Sequence, residues 1–212
     1  MRIFTSGLIA CLACAAAFEM RPLLFADQDA RFCMAGESDV PGDRIDACSR
    51  ILARELDKPG QARAYGYRGK AHWHNGETLL ALADYNAALA IQPAGSAILY
   101  DRALGYVDMR QYEEALADLD RVIAANPEAP KGYSGRGWAN FQKGDYALAV
   151  ADLEKVESLQ VDDAWAHNIR AFALDKLGRK QEATAEFRRA AELEPGNTGF
   201  AEDLKTAEAE QD

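Results

Sequence analysis

Basic residues are fewer than acidic residues in this chain of 212 residues, which has 24 lysines and arginines against 34 aspartates and glutamates. The formal net charge at pH 7 is −10. Because an acidic surface repels a polyanion, this composition argues against nucleic acid as a partner.

Histidine is rarer still, and the three histidines do not complete a metal site. His72 and His74 are two residues apart, so on a helix their side chains point about 200° apart. No cysteine or acidic cluster completes a ligand set around them. We therefore expect no metal and no cofactor, with one of these histidines packed and the other exposed.

The sequence also lacks a set of residues suited to catalysis. The glycine-rich segment at residues 132–137 follows no predicted strand and matches neither a nucleophile elbow nor a phosphate-binding loop. No nucleophile, general base and oxyanion donor occur together in the chain. We expect a protein that is not an enzyme.

The start of the chain differs in composition from the rest. A positive first segment precedes an uncharged run over residues 3–18, with small residues at Ala15 and Ala17. This layout is typical of a secretory signal peptide, and sixteen residues are too few for a comfortable membrane span. We expect a signal peptide over residues 1–17, cleaved after Ala17 or, with a poorer fit, after Ala26. The mature protein is then exported, most simply to a bacterial periplasm.

Two other interpretations of this first segment stay open. Residues 8–11 read Leu-Ile-Ala-Cys, which matches a bacterial lipoprotein processing site and would place a lipid on Cys11. Alternatively, Glu19 and Arg21 stop transfer and leave the segment as an uncleaved anchor.

Cysteine is scarce, with four in the chain, and two of the four lie in the first segment. Removal of that segment leaves Cys33 and Cys48. Two cysteines in an oxidising compartment favour one disulfide, which would close a loop of about 15 residues. The alternative is a pair of buried free thiols.

What the sequence does have is a period of 34 residues. Alanines and prolines both recur at that spacing, and the one break in the proline series is Val161. The alanines are Ala47, Ala81, Ala115, Ala149 and Ala183, and the prolines are Pro59, Pro93, Pro127 and Pro195. A fixed period of this length predicts stacked helix pairs, each of which buries its apolar face against its neighbours.

Counted from residue 62, the period resembles the tetratricopeptide repeat motif. It has small residues at positions 8, 20 and 27, a bulky residue at position 24 and a proline at position 32. The likeness covers residues 62–195. It implies an all-α, right-handed superhelical solenoid of antiparallel helix pairs with a C-terminal capping helix. The units are a degenerate repeat at 28–61, four full repeats at 62–95, 96–129, 130–163 and 164–197, and a capping helix and tail at 198–212.

The degenerate repeat carries Gly36, Pro41 and Gly42 in its first helix, which we expect to be short and irregular. The segment from Arg44 to Pro59, preceded by Cys33, further resembles the start of exported bacterial proteins of this type.

One departure from the family motif concerns charge. Position 7, usually leucine in the family, is arginine in every full repeat, and position 23 is acidic in every full repeat. The arginines are Arg68, Arg102, Arg136 and Arg170, and the acids are Asp84, Asp118, Asp152 and Glu186. The equal numbers of arginines and acids favour bidentate ion pairs that fix helix register. The alternative is an arginine track for an anionic ligand.

The resemblance implies a concave groove lined by first-helix positions 2, 5, 9, 12 and 13. All three tryptophans of the chain occupy such positions, and exposed aromatic surface is typical of an interaction site. Position 9 residues could instead pack partly against the next repeat. The predicted groove residues are Arg63, Lys70, Trp73, Tyr100, Leu104, Val107, Lys131, Trp138, Phe141, Trp165, Asn168 and Phe172.

Some proteins of this family capture the C-terminal carboxylate of cytosolic chaperones with lysine, arginine and asparagine residues at set positions in three successive repeats. Those positions here hold Gly66, Lys70, Asp101, Lys131 and Gly135, and only Lys131 matches. Asp101 would repel a carboxylate. We do not expect this chain to bind such a ligand.

We therefore expect a non-catalytic scaffold whose groove binds a peptide or helix of another protein through apolar anchors, without a membrane span after processing. The alternative is a lipid-anchored or complexed subunit of an envelope assembly machine, or a cofactor of a cell-wall enzyme.

Overall fold

The structure, a computed structural model, describes residues 28–35, 40–54 and 56–210. The described residues form a short π-helical turn (Arg31–Ala35) and ten α-helices, and they contain no strand. The helices are α1 (Pro41–Leu52), α2 (Lys58–His74), α3 (Thr78–Ile91), α4 (Ser96–Asp108), α5 (Tyr112–Ala125), α6 (Pro130–Lys143), α7 (Tyr146–Ser158), α8 (Ala164–Lys176), α9 (Lys180–Leu193) and α10 (Thr198–Ala209). The predicted all-α solenoid is confirmed. The signal peptide predicted for residues 1–17, with Cys11, lies outside the described residues.

The helices stack in chain order. Helices α2 to α9 form four pairs, each of which packs on the next, and α10 packs on α9. The first helices also contact one another across repeats, α2 with α4, α4 with α6 and α6 with α8. Because the members of the inner layer of a curved stack lie closest together, the first helices form the concave side and the second helices the convex side.

Small residues at position 8 bring the two helices of a pair into close contact. A Cβ atom built on Gly69 would lie 2.8 Å from the Tyr85 ring, and one on Gly137 would lie 2.9 Å from Leu153 Cγ. Tyr85 and Leu153 occupy position 24 of their repeats and are buried. The same packing of large on small side chains recurs along the stack, and the buried residues form a series of apolar clusters between the helices.

The turns within each pair follow the same period. Gly76, Gly144 and Gly178 have φ values of 78°, 95° and 76°, so each ends its first helix in the left-handed conformation that glycine tolerates best. The corresponding residue of the second full repeat is Arg110, which adopts φ 57° without being a glycine.

The N-terminal unit departs from its prediction in one detail. Pro41 and Gly42 lie in the first turn of α1, where a proline without an N–H is tolerated, and not in the preceding helical segment. That segment is held to α1 in two ways. The structure joins Cys33 to Cys48 by a disulfide with a Cα–Cα distance of 4.9 Å. The buried Asp29 carboxylate accepts hydrogen bonds from Arg50 in α1 and from Arg54 just after α1 ends.

Candidate partner-binding groove

The concave side carries the residues predicted for the groove, with different degrees of exposure. Arg63, Lys70 and Lys131 are exposed, and Trp165 keeps 39% of its surface accessible. The remaining accessible members are half-buried, namely Trp73, Tyr100, Leu104, Trp138, Phe141 and Phe172. Trp138 and Phe172, two of the four position 9 residues, thus pack partly on neighbouring helices while keeping accessible surface.

Four of these side chains, Trp138, Phe141, Trp165 and Phe172, form an aromatic cluster on α6 and α8. The Trp138 ring lies 5.5 Å from that of Trp165 and stacks on Phe141 at 5.8 Å, measured between centroids. Phe141 lies 6.4 Å from Phe172. The distances are those of favourable aromatic pairs, so the four rings form one contiguous apolar surface.

A charged section of the groove lies on the N-terminal side of the aromatic cluster. Lys131 Nζ sits 4.1 Å from the centroid of the Tyr100 ring, a cation–π geometry. Beside it, burial raises the pKa of the Asp101 carboxyl, while the positive charges of Lys70 and Lys131 act in the opposite direction. Further along, Trp73 donates its indole N–H to the Asp108 carboxylate at 2.5 Å. The groove therefore offers both a carboxylate and ammonium groups next to an aromatic surface.

Two predicted groove residues are not accessible. Val107 keeps only 5% of its surface exposed, because it packs in the core with Ala103 and Leu119. Asn168 keeps 6% exposed, because α10 covers it and its side-chain amide donates a hydrogen bond of 2.9 Å to Asp203. Asp203 lies beyond the last full repeat, so the period gave no signal that it would reach this position.

The arginines of position 7 pair with the acids of position 23, as the sequence predicts. The pairs of Arg68, Arg102 and Arg136 are bidentate, whereas Arg170 donates a single hydrogen bond to Glu186. Arg102 donates two hydrogen bonds of 2.7 Å to Asp118 on the second helix of its own repeat. It donates a third, of 2.6 Å, to Asn86 on the preceding repeat. Arg136 likewise joins Asp152 to a carboxylate of the preceding repeat. These hydrogen bonds link successive helix pairs and occupy the guanidinium groups.

His72 is largely covered and its ring contacts Glu77 at 2.6 Å, whereas His74 is exposed. Among the described residues, none of the helices is both long and apolar enough to span a membrane.

Comparisons with known proteins identify the repeats. The tetratricopeptide repeat profile matches residues 46–96, 100–159 and 164–197. The Hsp70-Hsp90 organizing protein of Triticum aestivum is 32% identical over 88 residues, which is 42% of this chain and 15% of that protein. The chain thus spans a small part of that relative's length.

Two solved structures are similar in fold. A tetratricopeptide repeat protein from Parabacteroides merdae superposes with a TM-score of 0.71 at 20% identity, over 86% of this chain and 70% of that one. A thermophilic tetratricopeptide repeat protein from Thermus thermophilus superposes with a TM-score of 0.68 at 18% identity, over 87% of this chain and 97% of that one. With the family profile matching more than half of its residues, this chain belongs to the tetratricopeptide repeat family, whose repeats support protein–protein interaction.

Proposed function

We propose that this chain is a non-catalytic, exported scaffold that binds a peptide or helix of another protein in the concave groove formed by α2, α4, α6 and α8. The aromatic cluster receives apolar side chains of the partner, and Asp101 with Lys70 and Lys131 orients its polar groups.

The observation that carries this proposal is the position of the aromatic cluster. Trp165 is exposed and Trp138, Phe141 and Phe172 are half-buried on a concave surface that the chain itself leaves open. Contiguous aromatic surface of this kind is costly in water and supplies most of the binding energy where a partner covers it.

The groove does not suit the C-terminal carboxylate of a chaperone, although the similar Triticum aestivum protein is named for Hsp70 and Hsp90. Gly135 has no room for the basic side chain that such a site needs, because a Cβ there would lie 2.7 Å from Leu119 and 2.8 Å from Tyr100. Asp101 adds a carboxylate between the two lysines.

The proposal is tested by selecting ligands from a random peptide library on the protein without its first segment. We expect the selected peptides to share large apolar residues. The double variant Trp138→Ala with Tyr100→Ala should then weaken their binding about tenfold or more, because it removes two anchor contacts.

A matched control is Leu79→Ala with Leu80→Ala, which removes exposed apolar side chains from α3 outside the groove. This variant should bind the selected peptides as the parent does. Unchanged binding by the Trp138 and Tyr100 variant, measured by fluorescence anisotropy, would refute the groove as the binding site.

A further inference from the structure

Exposed apolar side chains are concentrated on one edge of the solenoid, away from the groove. This edge, called here the turn edge, is where each first helix turns into its second helix. Of the eight large apolar residues exposed among the described residues, five lie on it. They are Leu79, Leu80, Met109, Leu148 and Leu177, with 41% to 68% of their surfaces accessible.

The register of the stack brings residues of successive repeats together along the turn edge. The end of each first helix lies against the start of the preceding second helix, since a Cβ on Gly105 would lie 3.1 Å from Leu82. Lys143, at the end of α6, lies 3.6 Å from Glu113 at the start of α5. Met109 and Leu177 precede and follow Lys143 by one period, so they occupy the same place in their repeats.

The residues therefore follow a fixed order along the turn edge. Leu79, Leu80 and Met109 come first, then Glu113 and Lys143, then Leu148 and Leu177. Two apolar patches flank a central acid and base. When this order is reversed and set against the original order, each apolar residue lies opposite another apolar residue. Glu113 then lies opposite Lys143.

We propose that the turn edge binds the turn edge of a second copy of this chain around a two-fold axis at Glu113 and Lys143. In a two-fold interface each contact occurs twice, so the surface must be complementary to its own reverse. Leu79 and Leu80 then meet Leu177 of the second copy, and Met109 meets Leu148. Glu113 of each copy meets Lys143 of the other copy.

The charged residues of the turns fit the same arrangement. Arg110, in the turn before α5, comes opposite Asp145, in the turn before α7 of the second copy. At the outer ends, Glu77 comes opposite Arg179. Opposite charge at each of these three pairs is expected for self-association and has no reason to arise for an unrelated partner.

The size of this surface predicts a weak dimer. Helices pack about 8–10 Å apart and are about 10–12 Å wide, so six helix ends cover about 500 Å² per copy. That is about 1,000 Å² in total, the lower limit of a specific interface. We expect dimers that form at high concentration and leave both grooves free.

Sedimentation equilibrium of the protein without its first segment, from about 1 to about 200 µM, tests this surface. The parent should dimerise across this range. Glu113→Lys and Lys143→Glu should each weaken dimerisation about tenfold or more, because each variant places like charges opposite one another twice.

Mixing the two variants distinguishes the effect of contacts between copies from the effect of the contact within one copy. Each variant loses its internal contact between residues 113 and 143, and Lys143→Glu also loses the contact of Lys143 with Asp145 at 2.9 Å. Mixing restores neither internal contact. A mixed dimer, however, places opposite charges together at both central positions. We expect the mixture to associate as well as the parent while each variant alone does not.

Glu128→Lys makes the same charge change in the turn before α6, on the opposite edge, and should leave dimerisation unchanged. A parent that stays monomeric throughout the range would overturn the proposal. Equal dimerisation by parent and Glu113→Lys, or a mixture that fails to associate, would do so as well.

Discussion

The arginine at position 7 of each full repeat does more than neutralise one acid. Arg136 donates to Asp152 at 2.7 Å and to Asp120 at 2.7 Å, while Asn140 donates to the same Asp152 carboxylate at 3.1 Å. Asp152 is buried, so it depends on these donors in place of water. Loss of the arginine leaves a buried charge with incomplete compensation.

Replacing Arg136 by Met should therefore lower the free energy of unfolding by about 2 kcal/mol, less than for a fully buried pair because the Arg136 side chain is 29% exposed. Urea denaturation measures the change. Arg188→Met is the control, because Arg188 pairs with Glu208 at an exposed position and should cost little. Lost partner binding with unchanged stability would instead favour an arginine track for an anionic ligand.

His167 shows that one residue can leave the pattern of its repeat position. Position 4 holds Tyr65, Leu99 and Tyr133 in the other full repeats, but His167 contacts carboxylates with both ring nitrogens. Its Nδ1 lies 2.6 Å from Glu186 and its Nε2 lies 3.0 Å from Asp162. The hydrogen bond to Glu186 raises the pKa of His167, while burial and the nearby charge of Arg170 act in the opposite direction.

This raised pKa predicts a pH dependence of stability. Because the folded pKa lies above the unfolded value, the stabilisation by the charged imidazole is complete below the unfolded pKa, near 6.5. It is lost as the pH rises through the folded pKa. The stability of the parent should therefore fall, relative to His167→Gln, as the pH rises above neutrality.

Urea denaturation at successive pH values measures both proteins, and the difference between their curves isolates the contribution of residue 167. An NMR titration of the His167 ring gives the pKa directly. A difference that grows with rising pH would contradict the assigned ion pairs.

At the scale of elements, the missing proline at Val161 changes how a second helix ends. Gln92, Asn126 and Glu194 each precede a proline and lie outside the helical region, with φ between −127° and −150° and ψ between 72° and 89°. A proline restricts the preceding residue in this way. Gln160 has no such neighbour and adopts φ 60°.

Restoring the family proline by Val161→Pro should therefore destabilise the protein, although the repeat motif suggests the opposite. The change forces Gln160 out of its conformation and disturbs Val161, which packs on the core beside Leu153 and Val156. We expect a loss of about 1–3 kcal/mol in urea denaturation.

Gln160→Gly in the same turn should stabilise the protein by about 0.5–1 kcal/mol, because glycine adopts positive φ without steric cost. Stabilisation by Val161→Pro would show that this turn readily takes the conformation of its counterparts.

At the scale of the whole molecule, the disulfide and the proposed export make one joint prediction. In protein isolated from its source without reduction, Cys33 and Cys48 should resist alkylation, and an intact mass should begin after residue 17. Reduction should lower the free energy of unfolding by about 3 kcal/mol on the chain-entropy model. Both thiols free in that material would contradict export, and a modified Cys11 would favour the lipid-anchored alternative.

The fold could be predicted from the sequence because its main contacts are local. Arg102 and Asp118 are 16 residues apart within one repeat, and position 8 meets position 24 in the same helix pair. A period that repeats these spacings therefore specifies the pairs, their ion pairs and their stacking. The sequence likewise predicts that Asp101, at the sixth position of the second repeat, opposes a carboxylate ligand.

The accessibility of individual side chains could not be predicted in the same way. Asn168 is buried by Asp203 and α10, 35 residues further along the chain, and Val107 faces the core while its neighbour Asp108 is exposed. The order of residues on the turn edge also depends on contacts between one repeat and the next.

By itself, the sequence determined the repeat, the helix pairs and the pairing of arginine with acid, because each depends on spacings within a single period. Only the tertiary structure decided which groove positions stay open, how His167 is paired and which apolar residues share an edge. These properties depend on the helix that covers each surface, and that helix belongs to a different repeat.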